Sequence, residues 1–536
     1  MFLQNKRKEG FYKVLFLYFN SHNIKGGFMM NHKYLKKFVY LFVFIFIFNC
    51  FFFDYQIFAK TTTNTIQNDT FWKDTSGNPI YSQGGGIFKF GNTYYWYGVK
   101  YNGAVSYYNN PSKKNSDSSF NAITCYSSTD LVNWKFENNV LTSSTSGLEG
   151  SAWLGRMGVV YNANTKQYVL LSQFTGTNGS GELFATCDTP TGNFMYNHIQ
   201  TSITNMVNNM TGDQSVFTDD DGKSYVICSS AKGRGHLYVV PINEANSLSL
   251  GTAVNIFNST SSGREGNCMF KYNGTYYFCS SDLHGWNSSH CYVLTSQNIL
   301  GPYSSESIMA GTDFDFCHVS QTGFFVTVPG SSGTTVIFCG DRWSDFAGNG
   351  LGYNEWCPIT FDGTTPTFHS LSQWSLNAAD GTWKTGSGNN YVLNSSFEAD
   401  RISQTSAAGW TTWSNLSSGT PNSNVSVGHT GNWAWKLYNS NAYQGSIYQN
   451  ITGLSNGTYT LTAWVESSGG QNTAQIFAKN FGATELDSSI NTAIGNWKEI
   501  SIPNVNITNG SCQIGMFTDA NAGNWCKLDD ISLVKN

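Results

Sequence analysis

The chain has 536 residues and a net charge of −4, and only 12% of its residues are charged, roughly half the usual share. The length leaves room for two or three domains, and the weak charge gives no electrostatic reason to expect nucleic acid or acidic lipid as a partner. Aromatic residues make up 15% of the chain. This composition suits a surface for neutral, hydroxyl-rich ligands, although an all-β protein contains many aromatic residues anyway.

The N-terminal segment has the pattern of a secretory signal peptide. From Met30 a basic stretch, NHKYLKK, precedes the apolar run FVYLFVFIFIFNCFFF, and the small residue Ala59 precedes a polar stretch. The apolar run is short for a spanning helix. We therefore predict an upstream extension and signal peptide over residues 1–59, a spacer over 60–68, and a secreted protein with no membrane partner after cleavage. Lipid attachment at Cys50 is an alternative, but IFNC is a poor lipoprotein motif.

The 12 cysteines are scattered, without CxxC pairs or Cys/His metal spacing. Several lie inside predicted strands, where a free thiol behaves as a small apolar group. Cys512 and Cys526 are candidates for a disulfide near the C-terminus. The remaining cysteines argue against a dense disulfide framework.

Hairpins recur between residues 84 and 340. The clearest is NCMFKY–NG–TYYFCSS, in which Asn273-Gly274 forms a tight turn between two β-rich runs. Similar units occupy residues 84–98, 157–173, 213–230 and 321–340. Their period is roughly 50–75 residues, close to that of propeller blades. We predict a five-bladed β-propeller over residues 69–379, with a β-sandwich containing coincidental hairpins as the alternative.

A polar or small residue precedes the inner strand of each hairpin. In a propeller these strand starts converge on one end of the central channel. This arrangement would bring Glu265 beside Asp213 and Gln321. The simpler explanation for Glu265 is a salt bridge with its neighbour Arg264.

The composition of the sequence changes after Asn377. DGTWKTGSGNN, at residues 380–390, is predicted to be a Gly/Ser/Asn linker. Residues 391–536 contain further alternating strands and predict a second all-β domain of sandwich or jelly-roll size.

Roughly residues 69–377 resemble glycoside hydrolase family 43, the five-bladed propeller glycosidases. The motifs that carry the resemblance are, in order, DTSGNPIYSQGGGIFKFGNTYYWYG, STDLVNWKF, VVYNANTKQYVLL, GDQSVFTDDDGKSY, REGNCMFKYNGTYY and GDRW. The GGG run also resembles the branch that contains exo-β-1,3-galactanases. The tail from Tyr391 resembles jelly-roll carbohydrate-binding modules, with NSSFE and LDDISLV at its ends.

The resemblance implies an exo-acting, inverting glycoside hydrolase that acts on plant arabinogalactan-type polysaccharide and needs no cofactor for catalysis. It assigns Glu265 as the general acid and Asp213 as the residue that tunes its pKa. The chemistry agrees with this assignment, since glycosidic cleavage needs a protonated carboxyl whose pKa is raised by burial or a neighbouring charge.

The resemblance leaves the catalytic base open. Most of the family has Asp where this chain reads Gly84-Gly85-Gly86. The galactanase-like branch shares this gap, and Gln321 matches a Gln proposed there to handle the water through its imidic tautomer. A side-chain amide can position water. Asp341 is the carboxylate alternative, although it can equally pair with Arg342.

Two departures from the galactanase-like pattern concern the sugar. Val99 and Gly155 stand where that pattern has Glu. Because a site built to bind a hydroxyl discriminates strongly, these losses can change which sugar fits. Galactose is the leading prediction, α-L-arabinofuranose is the rival, and a non-catalytic glycan-binding propeller is the third hypothesis.

Further residues are candidates for ligand contact, although core packing is the alternative for each aromatic side chain. The predicted sugar contacts are Trp343, Asp341, Arg156, Trp286 and Tyr97. The predicted platform of the C-terminal module is Trp410, Trp413 and Trp525. Glu398 and Asp530 match positions that often hold structural calcium in such modules, and their oxygens suit that ion.

Overall fold

Strands make up nearly all the regular structure of residues 64–148, 151–176, 179–258, 262–343 and 351–536, the parts of the chain that a computed structural model describes. Helices α1 (Asn102–Asn109) and α2 (Phe316–Val319) and a 3₁₀ turn at Val207–Asn209 are the exceptions in these ranges. No helix there is long and apolar enough to cross a membrane. The predicted signal peptide lies outside the described residues.

After β1 (Thr65–Gln67), twenty strands form five antiparallel sheets of four consecutive strands each. The first comprises β2 (Gln83–Phe90), β3 (Thr93–Tyr101), β4 (Phe120–Ser128) and β5 (Lys135–Thr142); the second β6 (Ser151–Asn162), β7 (Gln167–Gly176), β8 (Gly179–Cys187) and β9 (Met195–Gln200); the third β10 (Thr211–Thr218), β11 (Ser224–Ser230), β12 (His236–Pro241) and β13 (Val254–Asn258); the fourth β14 (Glu265–Tyr272), β15 (Thr275–Ser281), β16 (Tyr292–Ser296) and β17 (Ser307–Ile308); and the fifth β18 (Gln321–Pro329), β19 (Thr334–Arg342), β20 (Tyr353–Asp362) and β21 (Thr365–Phe368). Each predicted hairpin supplies the first two strands of one sheet.

The first strands of neighbouring sheets contact one another. β2 contacts β6, β6 contacts β10, β10 contacts β14, β14 contacts β18, and β18 contacts β2 again. Sheets of four strands fit the blades of a β-propeller. This ring of contacts brings the five strand starts together.

The predicted spacer and linker each contribute a strand. β22 (Gln373–Asn377) pairs with β1 on one side and with β23 (Thr382–Thr385) on the other. Residues 65–67 and 382–385 therefore belong to one three-stranded sheet rather than to free connections. Gly/Ser/Asn composition signals turns, but it does not prevent a short strand from pairing with an available edge.

Residues 391–536 contain two five-stranded antiparallel sheets. One has the order β24 (Thr411–Ser414), β27 (Tyr443–Thr452), β32 (Ser511–Ala520), β29 (Thr473–Lys479) and β30 (Leu486–Ser489); the other has the order β25 (Asn422–Val425), β26 (Ala434–Tyr438), β33 (Trp525–Lys535), β28 (Gly457–Ser467) and β31 (Ile494–Ile507). One buried apolar cluster includes Met516 from the first sheet and Leu461 from the second. Cys512 and Cys526 are both buried and free, so the predicted disulfide between them is wrong.

Candidate active site

A cavity of about 210 Å³ lies where the first strands of the sheets meet. Its charged and polar lining comprises Arg156, Asp213, Arg234, Glu265 and Gln321. Its aromatic lining comprises Tyr101, Trp153, Trp286 and Trp343. The three residues predicted for catalysis therefore share one pocket.

β-Bulges direct these side chains into the pocket. The first strand of each four-stranded sheet changes register in its first half, and in every one of these five strands a glycine lies within an irregular segment. A bulge turns the strand locally and re-aims its side chains. Gly266, with φ +58°, shows why glycine is needed, because a Cβ there would lie 2.3 Å from the carbonyl oxygen of Thr322. The sequence GREGN at residues 263–267 thus fixes the position of the Glu265 carboxyl in the pocket wall.

Glu265 is buried and has partners on both carboxyl oxygens. Oε2 accepts a hydrogen bond from Arg234 Nη1 at 2.6 Å, and Oε1 accepts one from Gln321 Nε2 at 2.8 Å. Burial and the nearby charge of Asp213 raise the pKa of Glu265 to about 7. The carboxyl can therefore hold a proton near neutral pH, as a general acid must.

The alternative explanation for Glu265, a salt bridge with Arg264, is wrong. The Arg264 guanidinium instead pairs with Glu306, with Nη2 2.6 Å from Oε2, and stacks over the ring of Tyr292. Arg264 immediately precedes β14 and does not line the pocket.

Asp213 remains ionised beside this acid. Its carboxylate accepts hydrogen bonds from Arg234 Nη1 at 3.0 Å, from Arg156 Nε at 3.1 Å and from the backbone N–H of Gly266 at 3.1 Å. Burial alone would raise the pKa of Asp213, but the two guanidinium groups and the N–H donor lower it below its ordinary value. The two carboxyl groups thus have pKa values pushed apart, the pattern that separates a charged modulator from a protonated acid.

Gln321 uses its whole amide in contacts with the protein. Oε1 accepts from Arg156 Nη2 at 3.1 Å and from Trp343 Nε1 at 2.8 Å, while Nε2 donates to Glu265 and to Ser281 Oγ.

Helix α2, directly before β18, has left-handed φ values of +50° to +58°. Such backbone is unfavourable for ordinary L-residues and is typical of functional sites.

Asp341 and Arg156 form an ion pair at the pocket. Asp341 Oδ1 accepts from the backbone N–H of Gly84 at 2.9 Å, and Oδ2 lies 3.3 Å from Arg156 Nη1. Asp341 does not line the cavity, and its pairing with Arg342 is wrong, since Arg342 pairs with Asp69 and Glu355. Arg156 lines the pocket, but its guanidinium already binds Asp213, Asp341 and Gln321. Its main contacts are therefore with protein side chains.

Two of the three predicted aromatic contacts line the pocket. Trp286 and Trp343 form an edge-to-face pair with ring centroids 4.9 Å apart. Tyr97 does not: it is fully buried in a core cluster and its hydroxyl donates to the carbonyl oxygen of Pro190. Tyr101, at the end of the same strand β3, lines the pocket instead.

Trp153, Tyr101 and Arg234 were missed by the sequence reasoning. The ring of Trp153 occupies the space beside Gly155, where a Cβ would lie 1.8 Å from the ring. An indole thus fills room that a longer side chain at Gly155 would need. Val99, the other departure, is fully buried in the core and does not line the pocket. A GRG triplet around Arg234 was the available signal for that residue.

The three tryptophans predicted as a C-terminal platform do not form one surface. Trp410 is buried and packs against Phe397. Trp413 is 46% exposed on β24, whereas Trp525 lies on β33 of the other sheet, beside Lys436 and Lys527. The platform prediction is therefore wrong for Trp410, and the other two residues lie apart.

Glu398 and Asp530 both line a second cavity of about 740 Å³. Glu398 Oε1 accepts from the backbone N–H groups of Asn432 and Trp433, while Oε2 is buried without a hydrogen-bond partner among the described residues. Asp530 accepts from His429 Nδ1 at 2.6 Å and from Thr430 Oγ1 at 2.7 Å. The unpartnered oxygen of Glu398 is compatible with a cation ligand.

Another group of potential metal ligands includes Asp69, which lines the same cavity. Oxygen or nitrogen atoms of Asp69, His318 and Glu355 lie within 4.8 Å of one another. The Arg342 guanidinium pairs with both carboxylates, so this cluster is satisfied as an ion-pair network.

A buried acid tuned by an ionised Asp in a small aromatic pocket is the arrangement of a glycoside hydrolase. Residues 86–315 match the family model described as "Glycosyl hydrolases family 43". This match contains both Asp213 and Glu265, so the sequence comparison and the geometry of the site both identify a glycoside hydrolase.

Comparison with solved structures agrees with this fold. The exo-β-1,3-galactanase of Phanerochaete chrysosporium, crystallised with β-1,3-galactotriose, is 23% identical with a TM-score of 0.53 and covers 88% of this chain and 100% of its own. The exo-β-1,3-galactanase of Clostridium thermocellum is 21% identical with the same TM-score and coverage. Over 101 residues the chain is 31% identical to a 1,6-α-glucosyltransferase of Sporosarcina globispora, a match that spans 18% of this chain and only 8% of that protein.

Proposed function

We propose that this protein is a secreted, exo-acting and inverting glycoside hydrolase that releases galactose from the ends of β-1,3-galactan chains. The observation that carries the proposal is the pairing of Glu265, with a pKa of about 7, and ionised Asp213 in one pocket. The five four-stranded sheets would be the blades of a five-bladed propeller, and residues 391–536 a β-sandwich that binds carbohydrate.

In the proposed reaction, Glu265 donates its proton to the glycosidic oxygen as the bond to the anomeric carbon breaks. Asp213 stays negative and keeps that proton on Glu265 until the leaving oxygen needs it. Water attacks from the opposite face of the sugar in the same step, which inverts the anomeric configuration, and the proton that the water releases passes to solvent.

Gln321 is the proposed group for positioning this water, and its contacts set a condition. An inverting mechanism needs about 6.5–9.5 Å between the acid and the group that activates water. Here Gln321 Nε2 lies only 2.8 Å from Glu265 Oε1. The amide must therefore turn away from Glu265 when a sugar enters, so that its acceptor, Oε1, can receive a hydrogen bond from the water.

The size and lining of the pocket support exo action on a neutral sugar. A cavity of about 210 Å³ is on the scale of one sugar ring, too small for the middle of a polysaccharide chain. Indole rings such as those of Trp286 and Trp343 suit the apolar face of a sugar. Galactose is proposed as that sugar because the similar solved structures include two exo-β-1,3-galactanases.

An α-L-arabinofuranosidase of the same family is the second candidate. The observation in its favour is the ring of Trp153 beside Gly155, which replaces a carboxylate of the galactanase-like pattern with an apolar surface. A pocket that lacks this acceptor loses part of its selection for a particular hydroxyl.

Product analysis separates the candidates. Residues 60–536 are incubated with de-branched β-1,3-galactan and with native arabinogalactan, and released sugars are identified by chromatography. We expect stepwise release of galactose from the de-branched chain. Arabinose released only from the native polymer would favour the second candidate, and binding without any product would favour a non-catalytic propeller.

We also propose that a calcium ion binds beside Glu398 in the C-terminal region. The support is its buried, unpartnered Oε2 and the nearby carboxylates of Asp529 and Asp530, since burial and this mutual repulsion raise the pKa of Asp529. A bound cation would relieve that repulsion. Calcium should raise the melting temperature of the wild type after chelator treatment but not that of Glu398→Gln, and equal melting curves with and without calcium would exclude the site.

A further inference from the structure

Arg234 connects the two carboxyl groups of the proposed reaction. Its Nη1 donates to Glu265 Oε2 at 2.6 Å and to Asp213 Oδ1 at 3.0 Å. One nitrogen thus fixes the separation and orientation of the acid and its modulator. Asp213 also accepts a hydrogen bond from Arg156, but Arg156 makes no hydrogen bond to Glu265.

The local backbone is built around this side chain. Arg234 has φ +49°, a left-handed conformation that is unfavourable for a residue with a Cβ. The backbone N–H of Arg264 donates to its carbonyl oxygen at 2.9 Å. Glycine leaves room on both sides, because a Cβ at Gly263 would lie 2.8 Å from Arg234 Cβ and one at Gly212 would lie 3.4 Å from its Cγ.

The guanidinium has unused donors that face the cavity. Arg234 lines the pocket, and its side chain is 30% exposed. Among the described residues, only Nη1 has hydrogen-bond partners, which leaves the N–H groups of Nε and Nη2 available. A planar fork of donors matches the hydroxyl oxygens of a sugar.

We propose that Arg234 is the positioning residue for Glu265 and also binds a hydroxyl group of the sugar through Nε or Nη2. This inference rests on the proposed function for the identity of the sugar, but its first half concerns Glu265 alone. Neither role follows from the predicted catalytic residues, and the two roles can be tested separately.

The first test measures Glu265 without a substrate. Trp343 bonds Gln321, which bonds Glu265, so ionisation of Glu265 should change tryptophan fluorescence. We expect a pH transition near 7 in the wild type that is absent in Glu265→Gln. The cationic groups Arg234 and Arg156 lower the pKa of Glu265 against the effects of burial and Asp213, so Arg234→Gln should move the transition to higher pH.

Two further variants control this result. Arg234→Lys keeps the charge and should leave the transition close to that of the wild type. Lys271→Gln removes a cation from the far end of β14, the strand that begins at Glu265. Lys271 pairs there with Asp219, so this variant should leave the transition unchanged. An unchanged transition in Arg234→Gln, with a wild-type melting temperature, would overturn the positioning role.

The second test measures binding of galactose by calorimetry at pH 5. Both Arg234→Gln and Arg234→Lys should bind about tenfold more weakly, because a charge-assisted hydrogen bond or its planar geometry is lost. Wild-type affinity in both variants would overturn the contact with the sugar. If the wild type itself neither binds nor releases galactose, the proposed function fails, while the fluorescence test of positioning still decides the first half.

Discussion

Glu265→Gln should lower kcat on β-1,3-galactan by about 10²–10⁴-fold, because the glycosidic oxygen of the departing sugar leaves poorly unless it is protonated. An amide cannot donate a proton to that oxygen. It also meets a donor on each side, Arg234 Nη1 and Gln321 Nε2, so in either orientation of the new amide its NH2 group must face one of these donors. Initial rates and circular dichroism of the purified variant provide the measurement.

The leaving group offers a control for this prediction. An aryl galactoside with an acidic phenol needs little help from a general acid, so the variant should retain much more of its activity there than on galactan. Equal losses on both substrates would point to misfolding or to a binding role. Near-normal rates on galactan would remove Glu265 from the mechanism.

Much of the fold could be predicted because the hairpins are local. A tight turn such as Asn273-Gly274 and the strands on either side are specified by adjacent residues, and each such unit became the first half of a four-stranded sheet. The strands at 65–67 and 382–385 could not be predicted in the same way. The pairing of β1 with β22 joins segments more than 300 residues apart, which no local pattern encodes. β23 follows β22 closely in the chain, but the Gly/Ser/Asn composition around it indicated a linker instead of a strand.

The candidate site shows the same division. Glu265, Asp213 and Gln321 could be placed together because each lies at the start of the first strand of a sheet. The partner of Arg264 could not be predicted, since Glu306 follows 42 residues later in an irregular segment. Trp153 and Arg234 line the pocket from positions that carry no periodic signal, and Tyr97 was misplaced because alternation does not tell a core face from a channel face.

Asp213→Asn should lower kcat by about 100-fold near neutral pH and by less at acidic pH. The charge of Asp213 raises the pKa of Glu265, so its removal lowers that pKa. Arg234 and Arg156 would also lose a partner and act more strongly on Glu265. Glu265 would then lose its proton at a lower pH, and the alkaline limb of the pH–rate profile should move to lower pH.

The direction of this shift distinguishes electrostatic tuning from a structural role. A merely structural Asp213 would reduce the rate by the same factor at every pH, and the limb would stay in place. Asp219→Asn is the matched control, because Asp219 follows the same strand at its far end and pairs with Lys271. It removes one carboxylate without touching the pocket, so its pH profile should coincide with that of the wild type. Arg234→Gln is expected to raise the pKa of Glu265, whereas Asp213→Asn is expected to lower it. Opposite shifts in Arg234→Gln and Asp213→Asn would show that the balance of charges around Glu265 keeps it protonated at neutral pH.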